Sequence, residues 1–132
     1  MIARSVYEHA VERLKSGLAI VFDLTYWCDL ACRGCGVNAH LLKDLTIKQE
    51  MQEASTQDII NILHKFREYL DEHPHTRFYL NFGGGEPFLR QDLKEIVQES
   101  AMLFGAENIA IDTNGTVATL DLVREITNYV AC

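Results

Sequence analysis

No stretch of this 132-residue chain approaches the roughly 18 uninterrupted apolar residues of a membrane helix. Nor does it open as a signal peptide, since Met1-Ile2-Ala3-Arg4 leads into a charged periodic segment. Positive charge is scarce: Lys plus Arg number 12 against 19 Asp plus Glu, a formal net charge of −7. That balance leaves no basic footprint for sequence-independent nucleic-acid binding. Domain boundaries, residue repeats and low-complexity tracts are missing as well. A single domain over residues 1–132 is therefore expected, and 48% hydrophobic with 23% charged residues is enough for one core. Together these absences read as a soluble, cytoplasmic protein with no membrane and no nucleic acid among its partners.

Cysteine is also uncommon, four residues in all, yet Cys28, Cys32 and Cys35 fall in one short loop with the spacing C-x3-C-x2-C. An odd number of thiols in a chain without a secretory signal disfavours a disulfide. Soft sulfur ligands held this close select an iron–sulfur cluster or zinc over hard cations. Three cysteines on a four-iron cubane would leave one iron open to a substrate or cofactor, whereas His40 as a fourth ligand would close a structural Cys3His zinc site. Cys132, alone at the terminus, reads as an ordinary thiol. His9, His64, His73 and His75 read as surface side chains.

The segments around the cysteines alternate in period. Ser5 to Lys15 carries Val6, Ala10 and Leu14 at helical spacing before Gly17, a short docking helix. Leu18 to Leu24 is nearly continuous apolar, as in a strand buried on both faces. Asn38 to Ala54 is expected to be a partly helical excursion that shields the cysteine loop. Ser55-Thr56-Gln57-Asp58 starts a helix with Ile59, Leu63, Phe66 and Leu70 on one face, ended by His73-Pro74. Arg77 to Phe82 is a second strand, followed by a helix within Gln91 to Phe104 that closes at Gly105. Asn108 to Asp112 is a third strand, and Thr119 or Asp121 begins a last helix. Connections this long exclude hairpins and imply parallel strands in an α/β fold of βα repeats. The cysteines, Gly83-Gly84-Gly85-Glu86-Pro87 and Thr113-Asn114-Gly115 each follow the carboxyl end of a successive strand, the edge where α/β folds place their chemistry.

The triad, Gly84-Gly85-Glu86-Pro87 and Thr113-Asn114-Gly115, in that order and spacing, resemble the radical S-adenosylmethionine (radical SAM) superfamily. The resemblance implies a [4Fe–4S] cluster on Cys28, Cys32 and Cys35, with S-adenosylmethionine as second cofactor, cleaved reductively to a 5′-deoxyadenosyl radical that abstracts hydrogen. It assigns Gly84, Gly85 and Glu86 to the methionyl ammonium and Thr113 and Asn114 to nearby contacts. Relatives often carry an aromatic residue before the third cysteine, where this chain has Gly34. The run to Phe88-Leu89-Arg90 and Asp92-Leu93, with Thr116 after the third motif, looks most like maturases of peptides, proteins and cofactors. Asp112 to Gly115 also resembles glycyl-radical-enzyme activases, and an iron–sulfur or zinc-binding module without turnover is the reading from a different class. The implied partners are an electron donor such as flavodoxin or ferredoxin and a peptide or protein substrate. The family core is a partial (βα)6 barrel, of which this chain carries about half behind an N-terminal helix. Either a longer natural polypeptide or a partner is thus expected to cover the edge of the third strand.

Overall fold

Residues 17–37, 39–41 and 52–131 are described by the structure, a computed structural model. The expected helix over Ser5 to Lys15, most of the Asn38 to Ala54 excursion, and Cys132 lie outside these residues. The apolar run after Gly17 forms strand β1, Gly17–Thr25, and Trp27–Cys28 continues as a two-residue strand β2. β2 pairs in parallel with β3, His40–Leu41. Nothing in the periodicity of the sequence announces that short ladder.

Helix α1 spans Thr56–Glu72, and its start is the predicted one. Ser55 Oγ accepts the Asp58 N–H at 3.2 Å, while Asp58 Oδ2 accepts the Ser55 N–H at 3.2 Å. This reciprocal pair satisfies two backbone donors that would otherwise lack helical partners. Ile59, Leu63 and Leu70, spaced along one face, are buried.

Strand β4, Arg77–Gly84, ends in the glycine run, and Pro87–Leu89 forms one 3-10 turn. Helix α2, Leu93–Phe104, stops at Gly105, whose φ of 85° suits glycine. Strand β5 is Ile109–Ile111, one residue shorter at each end than expected, and Thr119 caps helix α3, Leu120–Ile126.

The three long strands form one parallel sheet in the order β1-β4-β5, so spatial order follows chain order. Val21 lies opposite Asn81, and Phe82 opposite Ile111. Because alternate residues face opposite ways, one face presents Leu24, Leu80, Phe82 and Ile109 to Ile59, Leu63, Ile96, Val97 and Ile126 of the helices. Each such fully buried side chain contributes roughly 1.5–3 kcal/mol of hydrophobic stabilisation. The other face is open, with Val21 70% exposed. The expectation that β1 is buried on both faces is therefore corrected: continuous apolarity marked a strand with helices on one side and, at Val21, an exposed surface on the other. On the far side of β5, the Ala131 N–H donates to the Ile109 carbonyl at 2.8 Å. That bond partly pairs the edge expected to be bare.

Candidate functional site

The carboxyl ends of β1, β4 and β5 bring the three sequence motifs to one edge of the sheet. Backbone meets backbone there at close range. The Gly85 N–H donates to the Thr25 carbonyl at 2.6 Å and the Glu86 N–H to the Trp27 carbonyl at 2.8 Å. A Cβ on Gly84 would stand 2.3 Å from Thr25 O, and one on Gly85 would stand 2.1 Å from Trp27 O. Gly84 also holds φ at 108°. Glycine is thus required at both positions so that the loop after β4 can lie against the cysteine segment. Gly83 differs, since a Cβ there would meet only Asp23 Oδ1 at 3.6 Å and Asp112 Oδ2 at 3.9 Å.

Glu86 is wholly buried, with no exposed surface. Its Oε1 accepts the Phe88 N–H at 3.0 Å and the Thr113 hydroxyl at 2.8 Å, and its Oε2 accepts the Asn114 N–H at 2.7 Å. A buried carboxylate is tolerated where donors replace its hydration, and these three donors do so. In this arrangement Glu86 ties the loop after β4 to the loop after β5.

The second tie runs from the loop after β5 to the cysteine segment. Asn114 Nδ2 donates to Asp29 Oδ1 at 2.9 Å and stands 3.8 Å from Cys28 Sγ. Thr116 closes the cluster, its hydroxyl bonded to Asp29 Oδ2 and its N–H donating to Asn114 Oδ1 at 2.9 Å. Hydrogen bonds from Thr116 and then Asn114 hold the carboxyl of the half-buried Asp29 below the usual carboxylate range.

The three cysteines are unequally placed. Cys28 is buried on β2, whereas Cys32 and Cys35 are exposed on the loop that follows, and none of them is in a disulfide. The Ala39 N–H lies 3.5 Å from Cys35 Sγ. Among the described residues, no three His, Cys, Asp or Glu side chains are gathered into a group able to hold a metal ion. Gly34 sits at φ 74° with no atom within 4 Å of a would-be Cβ, so the turn itself favours glycine at the position where the resemblance led to the expectation of an aromatic ring. In chemistry the donor set fits a thiolate-bound cluster. Three soft ligands share one segment, the first is anchored on a strand, and an amide donor stands at its sulfur.

A cleft of about 330 Å³ opens beside these loops, lined by Asp23, Gly83, Gly84, Gly85, Thr113 and Asn114, among others. Four of the five expected cofactor-binding residues therefore border one cavity, and the fifth, Glu86, is buried and bonded to two of them.

Several side chains support these loops in ways the sequence reading did not assign. Arg90 forks onto Asp92, Nε to Oδ1 at 2.9 Å and Nη2 to Oδ2 at 2.6 Å, and also donates to the Leu24 carbonyl at 2.9 Å. Glu53 accepts from the Thr25 hydroxyl at 2.5 Å and the Tyr26 N–H at 2.9 Å. Burial pushes the Asp92 carboxyl up, but Arg90 and the Thr56 hydroxyl outweigh it and leave it lowered. The R-x-D spacing was visible in the run that follows the second motif, while Asp23, Asp29 and Glu53 carried no local signal.

The family model described as the radical SAM superfamily matches residues 22–131. The mycofactocin maturase MftC of Mycolicibacterium smegmatis is 30% identical over 125 residues, which cover 88% of this chain and 27% of that protein. MftC of Mycobacterium tuberculosis strain H37Rv is 30% identical over 131 residues, 91% of this chain and 28% of its own length. The GTP 3′,8-cyclase of Aquifex aeolicus is 27% identical over 106 residues, covering 80% of this chain and 30% of the cyclase. The chain thus spans between a quarter and a third of these relatives. No solved structure gives a significant match.

Proposed function

The chain belongs to the radical SAM superfamily, and on that premise we propose that it is the amino-terminal part of the catalytic core of a cytoplasmic radical enzyme in peptide, protein or cofactor maturation. The observation that carries this reading is the convergence of three motif loops at one sheet edge, tied to each other by Glu86 and Asn114 around a common cleft.

Cys28, Cys32 and Cys35 would hold the [4Fe–4S] cluster. When bound, the cluster supplies the electron that cleaves the S-adenosylmethionine sulfonium to methionine and a 5′-deoxyadenosyl radical, the species that abstracts hydrogen from substrate. Gly84, Gly85, Thr113 and Asn114 line the cleft and are assigned to the methionyl end of S-adenosylmethionine, where bare glycine backbone offers close approach and polar contacts. Glu86, assigned to the same end by the resemblance, also holds the Thr113 hydroxyl and the Asn114 backbone in place. The protein's contribution is orientation and exclusion of water, with the chemistry carried by the cofactors. A reductant such as flavodoxin or ferredoxin would supply the electron. The maturase names of the similar proteins support a peptide or protein substrate.

Anaerobic reconstitution with iron and sulfide, then incubation with S-adenosylmethionine and a strong reductant, tests the proposal. About four irons per chain, with formation of methionine and 5′-deoxyadenosine, is the expected result. Stoichiometric zinc with no iron uptake would replace this reading with a structural metal module.

A further inference from the structure

Asn114 reaches the first cysteine from a different strand end, 86 residues along the chain. Its side-chain amide has a defined orientation, because Oδ1 accepts the Thr116 N–H at 2.9 Å and a flipped amide would set donor against donor. Nδ2 must therefore face Asp29 Oδ1, at 2.9 Å, and Cys28 Sγ, at 3.8 Å. The backbone of Asn114 is held separately, by Glu86 Oε2 at 2.7 Å. Two anchors thus fix one amide against the single buried cysteine of the triad, while Cys32 and Cys35 stand on the exposed loop.

Resting on the cluster reading above, we propose that Asn114 is a positioning residue for Cys28, whose amide N–H donates to the Cys28 sulfur and raises the reduction potential of the cluster bound there. Hydrogen bonds to ligand sulfur withdraw electron density and favour the more negative, reduced form, and they are among the protein's principal means of setting an iron–sulfur potential. Glu86 and Asp29 act through Asn114, by keeping its amide at the sulfur.

Redox titration of the reconstituted chain, followed by visible absorbance and electron paramagnetic resonance, reads this role directly. Asn114→Leu removes the donor while keeping side-chain bulk over the sulfur, and Asn114→Ala removes both. At the wild-type midpoint, where half the clusters are reduced, Asn114→Leu should be less than half reduced, with iron content unchanged. Solvent entering in Asn114→Ala also shifts the potential, so a change confined to that variant would overturn the hydrogen-bond account. Equal midpoints for wild type and Asn114→Leu would overturn it too. Failure of wild type itself to take up iron would sink the cluster reading and this inference with it, and is distinguished by metal analysis before any titration.

Discussion

The Glu86 carboxylate accepts the Asn114 backbone N–H at 2.7 Å, across 28 residues of sequence and between the ends of two neighbouring strands. Since Glu86 has no exposed surface, this bond and its companions to Thr113 and Phe88 replace its hydration. The loops after β4 and β5 are thereby joined beside the cleft. The connection runs on through the Asn114 side chain to Asp29 and the cysteine segment.

Replacing Glu86 by Gln should lower stability, because the amide presents N–H groups where the carboxylate accepted them. Hydrogen bonds to a charged group are worth about 1.5–3 kcal/mol each, so a loss within or above that range is expected in chemical denaturation. Thr113→Val should cost less, as it removes one of the three donors. A double variant whose loss equals the sum of the singles would show that the two side chains do not interact and would refute the tie.

The glycine run should divide sharply. Gly83→Ala is expected to be nearly neutral, since its Cβ would make only ordinary contacts. Gly84→Ala and Gly85→Ala would drive a Cβ into backbone oxygens at 2.3 and 2.1 Å, at a cost above roughly 1–3 kcal/mol. Thermal melts of the three variants compare them, and equal melting temperatures would contradict the packing described for this edge.

Each of Cys28→Ala, Cys32→Ala and Cys35→Ala should abolish the visible absorbance of the reconstituted cluster, as all three thiolates are needed and the segment holds no fourth. Full cluster content in any one variant would remove that cysteine from the ligand set. Cys28→Ala should in addition lower the stability of the metal-free chain, since it alone is buried.

The Asp92 carboxyl is held below its ordinary value by Arg90 and Thr56 against the opposing effect of burial. A folded-state pKa below the unfolded value of about 3.9 means that its stabilisation is fully present above about pH 4 and is lost as pH falls through the lowered folded value. Melting temperatures measured between pH 6 and pH 2.5 should therefore fall more steeply for wild type than for Asp92→Asn. Parallel acid limbs would show that this pair does not contribute to acid sensitivity.

Local chemistry determined much of this protein in advance. The Ser55 to Asp58 cap, the Ile59, Leu63 and Leu70 face, the Gly105 stop and the positions of the three motifs after strand ends are all set by residues within a few positions of one another, where periodicity and capping act. The functional class was legible for the same reason, since cysteine spacing is a local property. Tertiary structure alone decided which face of β1 stays open, because apolarity does not record on which side of a strand the helices pack. It alone placed Glu86 inward, forced glycine at 84 and 85 through contacts with Thr25 and Trp27, and set Asn114 against Cys28. These relationships join residues some 28 to 86 positions apart, and they exist only once parallel strand order has brought three separate loops to a single edge.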